Sequence, residues 1–141
     1  DIQQCPSFIG QANWAIENFT GYNYNTSYIG HGDNESIPQP SKMKQIENPT
    51  RTAIFGDGEY KAGANKFMRA PFDSPGDDSF NGRYAGTQGF RHLKTTNVAF
   101  CDGHVESLAD RYTETDDYNG AANIGEATGF LSPDNSLYGG Q

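Results

Sequence analysis

Between Arg91 and Leu108 the chain carries Asp102-Gly103 flanked by runs rich in β-branched and aromatic residues. Both residues tolerate the positive φ of a type I′ turn, so this is the strongest hairpin signal in the sequence. A two-residue loop predicts that Cys101 faces His104, Phe100 faces Val105, Ala99 faces Glu106 and Val98 faces Ser107. Side chains alternate faces along a strand. Val98, Phe100 and Val105 are therefore expected in a core, with Cys101, His104 and Glu106 on the opposite side. His92 lies ten positions before Asp102, on the approach to the first strand.

Elsewhere the signals are shorter. Residues 21–30 alternate Tyr22, Tyr24, Thr26 and Tyr28, which predicts a strand. A short helix is expected over 11–18, with Trp14 on one side. One helical turn is expected over 42–46, stopped before Asn48-Pro49 because the residue preceding proline is pushed out of the helical region. Residues 52–55 form an apolar strand. Residues 58–90 show no clear organisation beyond the turn cluster at 73–78. Beyond Asp110 the chain is polar and Gly-rich, and either wraps the domain through Phe130, Leu131 and Tyr138 or contacts a neighbour. Ala53–Gly58 and Val98–Gly103 share a pattern, an apolar strand ending in Asp-Gly. The simplest reading is that the two strands end in the same turn chemistry.

A length of 141 residues predicts one domain. The net charge of −8 makes nucleic acid and anionic membranes poor partners and divalent cations suitable ones. The longest apolar runs are strand length, far short of the roughly 20 residues of a spanning helix. Two cysteines without accompanying Cys or His spacing do not read as a zinc site.

Five segments in order resemble a known family. Cys5-Pro6-Ser7 is similar to its CPS box, and Tyr22-Asn23-Tyr24-Asn25 through Tyr28 to its YxxN strand. Ile46-Glu47-Asn48-Pro49-Thr50 with Ala53-Ile54-Phe55-Gly56-Asp57 is similar to its central segment. His92 with Asp102-Gly103 resembles the H-X9-DG signature, and Gly129–Asn135 a common ending. Together these resemble the DUF1559 family of bacterial prepilin-like secreted proteins. The resemblance implies an α+β fold, the globular head of a pseudopilin, with an antiparallel sheet, short helices and long Gly/Asn-rich loops. It implies an extracellular or cell-surface structural protein, not an enzyme, whose copies form a helical or head-to-tail filament. His92, Asp102 and Gly103 would be structural.

The family's long apolar N-terminal helix is missing. Three outcomes follow: a head fragment, a head working alone after cleavage, or units joined through strands and tails. In the third case the termini, 1–10 and 125–141, are the connectors.

Several residues are candidates for chemistry. Asp57 and Asp102 would share a sheet edge if their strands ran the same way, and Asp73, Asp77 or Asp78 could complete a calcium site. The competing reading is turn aspartates bonding their own backbone. His92 with Asp102 suggests an acid–base pair, but a bracing role for His92 fits better, with Arg91 pairing Asp57 or Asp102. In a secreted chain Cys5 and Cys101 are a candidate disulfide, against two unrelated buried thiols. Asn18, Asn25 and Asn34 sit in N-x-[ST] patterns. The aromatic surplus offers an alternative function, a secreted module binding a glycan or another small ligand, against core filling and subunit contacts.

Overall fold

The computed structural model describes residues 5–8, 21–30, 37, 39–61, 63, 66–76 and 86–140. The expected helix over 11–18, and with it Trp14, lies outside the described residues. So do Asn18, Asn34, Asp77 and Asp78.

Among the described residues the strands are β1 (Tyr22–Asn25), β2 (Ala53–Asp57), β3 (Phe67–Met68), β4 (Gln88–Gly89), β5 (Thr96–Phe100), β6 (Val105–Leu108) and β7 (Thr128–Gly129), with one α-helix, α1 (Tyr118–Asn123). Five strands form one sheet in the order β3-β1-β2-β5-β6, and β4 pairs with β7 in a small second sheet. All pairings are antiparallel except β1 with β3. The fold is thus broadly α+β, with a mixed sheet rather than a purely antiparallel one. The expected turn over 42–46 is a 3-10 turn at Met43–Gln45, where the Lys42 amide donates to Gln45 Oε1.

The sheet's inner face carries the core: Ala53, Met68, Ala70, Val98, Phe100, Leu131 and Tyr138. Two asparagines of β1 face the same way. Asn25 Nδ2 donates to the carbonyls of Ala53 and Tyr138, 2.8 Å each. Asn23 Nδ2 donates to those of Phe67 and Thr87 at 3.3 Å. A bulge in β2 between Ala53 and Phe55 turns Phe55 outward, as an extra residue in a strand does.

The segment 125–140 is part of this body. Phe130, Leu131 and Tyr138 are buried, Ala53 N donates to Leu137 O, and Tyr112 bridges Phe130. Of the two expectations for this segment, the fold follows the one in which it wraps the domain through Phe130, Leu131 and Tyr138: lifting it away would expose the core.

The hairpin exists, but its register differs from the two-residue expectation. Ala99 pairs with Val105, Val98 with Glu106 and Asn97 with Ser107. Phe100 N donates to His104 O, and Gly103 N to Phe100 O, 2.9 Å each. The loop therefore holds three residues, 101–103, with Gly103 at φ 95°, the geometry of a type I turn closed by a left-handed glycine. One added loop residue moves every β6 side chain to the other face. Val105 is 66% exposed instead of entering the core, and His104 stacks on Phe100 with ring centroids 4.5 Å apart.

Candidate functional site

On the outer face of the sheet, cross-strand neighbours form two rows. Tyr24, Phe55, Ala99 and Val105 follow one another across four strands. The Tyr24 and Phe55 rings are 5.3 Å apart. Beside that apolar row run Tyr22, Asp57, Asn97 and Ser107. Tyr22 pairs with Asp57 and Asn97 with Ser107. Asn97 binds Asp57 from its backbone amide at 2.7 Å and its side-chain amide at 3.2 Å, and Ser107 Oγ donates to Asn97 Oδ1 at 2.6 Å.

Asp57 is only 1% exposed because the chain folds over it. A tight turn at 92–95 closes with reciprocal bonds between His92 and Thr95. Leu93 (φ 55°) and Lys94 (φ 69°) occupy its left-handed positions. This turn sets Arg91 and His92 above Asp57. Arg91 donates to Asp57 Oδ1 at 3.1 Å, Glu59 Oε2 at 3.3 Å, Gly21 O at 2.5 Å and Cys5 Sγ at 3.4 Å. Its guanidinium lies 5.4 Å from the centre of the Phe8 ring, a cation–π distance. His92 Nε2 stands 3.3 Å from Asp57 Oδ2 and 3.5 Å from Cys5 Sγ. The Tyr22 hydroxyl also bonds Cys5, and burial, followed by Cys5 and Asp57, pushes its phenol above the ordinary value.

Of these groups Cys5, Tyr22, Asp57, His92 and Asn97 line a groove of 260 Å³, with Pro6, Phe55, Ala99 and Val105 beside them. Its accessible lining is mostly apolar with a few polar groups among it, a composition common in small-molecule sites. The Cys5, His92 and Asp57 side chains do not make a nucleophile–base relay. Such a relay gives the carboxylate one ring nitrogen and the nucleophile the other. Here thiol and carboxylate meet the same Nε2.

The other candidates fall elsewhere. β2 and β5 are neighbours but antiparallel, so Asp57 and Asp102 lie at opposite ends of the sheet, about 17 Å apart at the rise of a strand. Asp73 N bonds Asp116 Oδ2 in a separate region. The proposed calcium set of Asp57, Asp102 and Asp73 therefore does not converge. The same separation corrects the His92–Asp102 acid–base pair. Asp102 is a turn aspartate: its Oδ1 takes the His104 amide at 3.2 Å and His104 Nδ1 lies 2.5 Å away. Asp57 is not, since Gly58 continues into a bridge with Gln88.

Cys5 and Cys101 are free buried thiols, which corrects the disulfide expectation. Cys5 sits on the groove floor, whereas Cys101 is anchored in the hairpin loop through its amide to Thr52 O. Burial, then Asp102, pushes the Cys101 thiol up. Asn25 is fully buried with both amide hydrogens engaged, so it cannot present a glycan acceptor in the folded chain. Asn97 and Tyr22 were not legible as site residues, because no local spacing links them to Asp57, whereas Glu59 stands only two positions beyond it.

Compared with protein-family models, curated proteins and solved structures, the chain matches none.

Proposed function

We propose that the chain is a non-enzymatic structural subunit of an extracellular, prepilin-like assembly, with this sheet as a pseudopilin-like head. Copies join through the outer sheet face. The observation that carries the reading is the apolar row itself: Phe55 is 50% exposed, Val105 66% and the adjoining Tyr22 41%. Contiguous exposed apolar surface of this kind marks interaction sites, and tyrosine and phenylalanine are enriched in interface cores. The row runs out to β6, an edge strand, so a second copy can meet both the apolar row and unpaired backbone groups. The H-X9-DG resemblance supports the same role, and no helix among the described residues is long and apolar enough to cross a membrane.

The groove favours a second reading, a secreted module for a glycan or another small ligand. Sedimentation and electron microscopy separate the two. The wild-type chain should form concentration-dependent oligomers or filaments. Phe55→Asp should weaken self-association by about 30-fold, the loss of roughly 2 kcal/mol expected of an interface anchor. A chain that stays monomeric at high concentration would sink the assembly reading. An oligosaccharide bound in the groove of such a monomer would establish the second.

A further inference from the structure

We infer that Cys5, His92 and Asp57 form a binding site for a borderline-soft divalent cation of the zinc class. The site goes beyond the assembly role and does not depend on it. The thiol, imidazole and carboxylate ligand atoms all lie within 4.8 Å of one another. Two of the three edges match one ion, and the third, Sγ to Oδ2, lies within 4.8 Å. A tetrahedral centre with bonds of about 2.3 Å to sulfur and about 2.0–2.1 Å to nitrogen and oxygen has an S–N edge of about 3.5 Å and an N–O edge of about 3.3 Å. The corresponding distances here are 3.5 Å for Sγ to Nε2 and 3.3 Å for Nε2 to Oδ2. As a hydrogen-bonded set the trio brings both the thiol and the carboxylate to the one ring nitrogen, Nε2. A cation between the three would take a lone pair from each, with Asp57 Oδ2 also accepting the two Asn97 amides.

The surroundings are those of a supported site. Metal ligands are held by outer partners that orient them. Asn97 fixes the Asp57 carboxylate through its backbone amide. Arg91 bonds both Asp57 and Cys5 from outside, offsetting the charge of a thiolate and a carboxylate. All three ligands line the groove, so the fourth position faces it and takes water or an anionic ligand. Three protein ligands with one open position distinguish this from a closed structural zinc site. Sequence spacing gives no hint of it, because the ligands come from three segments 35 or more residues apart.

The test uses the Cys101→Ser chain, which leaves Cys5 as the one thiol. Cobalt(II) should bind at one equivalent with a sulfur-to-metal charge-transfer band, and zinc should displace it. Cys5→Ser and His92→Ala should each weaken binding more than about tenfold, the lower end of what even an outer partner contributes, while His104→Ala should bind as before. X-ray absorption of the zinc-loaded Cys101→Ser chain needs no ligand variant and should show one sulfur at about 2.3 Å. Absence of the charge-transfer band, a shell of nitrogen and oxygen alone, or binding lost on His104→Ala but kept in Cys5→Ser would each overturn the inference.

Discussion

Asn23→Ala and Asn25→Ala remove the same side chain from the same strand, yet the structure predicts different costs. Both residues are buried on the inner face of β1. Asn25 makes two bonds of 2.8 Å to the carbonyls of Ala53 and Tyr138 and accepts the Tyr28 amide at 3.3 Å. It therefore ties β1 to β2 and to the C-terminal segment at once. Asn23 makes two longer bonds of 3.3 Å, and among the described residues its buried Oδ1 has no partner. A buried group stripped of its partner costs about 1–3 kcal/mol. Two short bonds place Asn25→Ala at about 3–4 kcal/mol. Two long bonds, offset by removal of an unsatisfied oxygen, place Asn23→Ala near 1 kcal/mol on the same scale. With a urea slope of about 2 kcal/mol per molar, the two unfolding midpoints should differ by about 1 M. Urea titration followed by circular dichroism measures this, provided the slopes agree. Equal midpoints, or the larger loss in Asn23→Ala, would refute the reasoning.

The turn at 92–95 yields a stabilising prediction. Leu93 is 97% exposed and Lys94 also takes a left-handed φ. Side chains there cost roughly 1–2 kcal/mol each, so Leu93→Asn with Lys94→Gly should raise stability by about 1–2 kcal/mol, read as a higher melting temperature. His104 gives a pH dependence. Its bond to Asp102 raises its pKa above the ordinary 6.5, so its contribution is complete below 6.5 and fades as pH rises through the raised folded value. The His104 amide, then its ring, lowers Asp102 below 3.8. That contribution is present above 3.8 and disappears as pH falls through the depressed folded value. Proton NMR of the three histidines' ring signals, with that of His104 assigned by its loss in His104→Ala, should show His104 titrating above 6.5; a value below it would contradict the geometry.

Much of the frame was legible because its signals are local. The Asp102-Gly103 turn, the apolar run before it and the Tyr/Asn alternation of β1 each announce themselves within a few residues. The hairpin's register was not legible. A type I′ loop and a three-residue loop with a left-handed glycine both accept Asp-Gly, and only the docking of Cys101 and Asp102 onto Thr52 and Pro49 accompanies the longer one. β4 and β7 have two residues each, too few to show a period. The groove floor was the least visible part. Arg91 was expected to meet Asp57 or Asp102, and the antiparallel order of β2 and β5 selects Asp57. Cys5 joins them from the far end of the described chain, a contact that no spacing encodes.

Arg91 carries a consequence for how the molecule reaches its native state. Its partners lie 86, 70, 34 and 32 positions away, at Cys5, Gly21, Asp57 and Glu59. Contacts of such separation are entropically expensive to close and belong to slow-folding topologies. During synthesis the groove floor cannot assemble until residues beyond 90 have emerged, after β1 and β2 are already available to pair. Any ligand that needs Cys5, Asp57 and His92 together will therefore recognise only the completed fold. Its binding would draw the last closure step forward and act as a latch on the finished molecule.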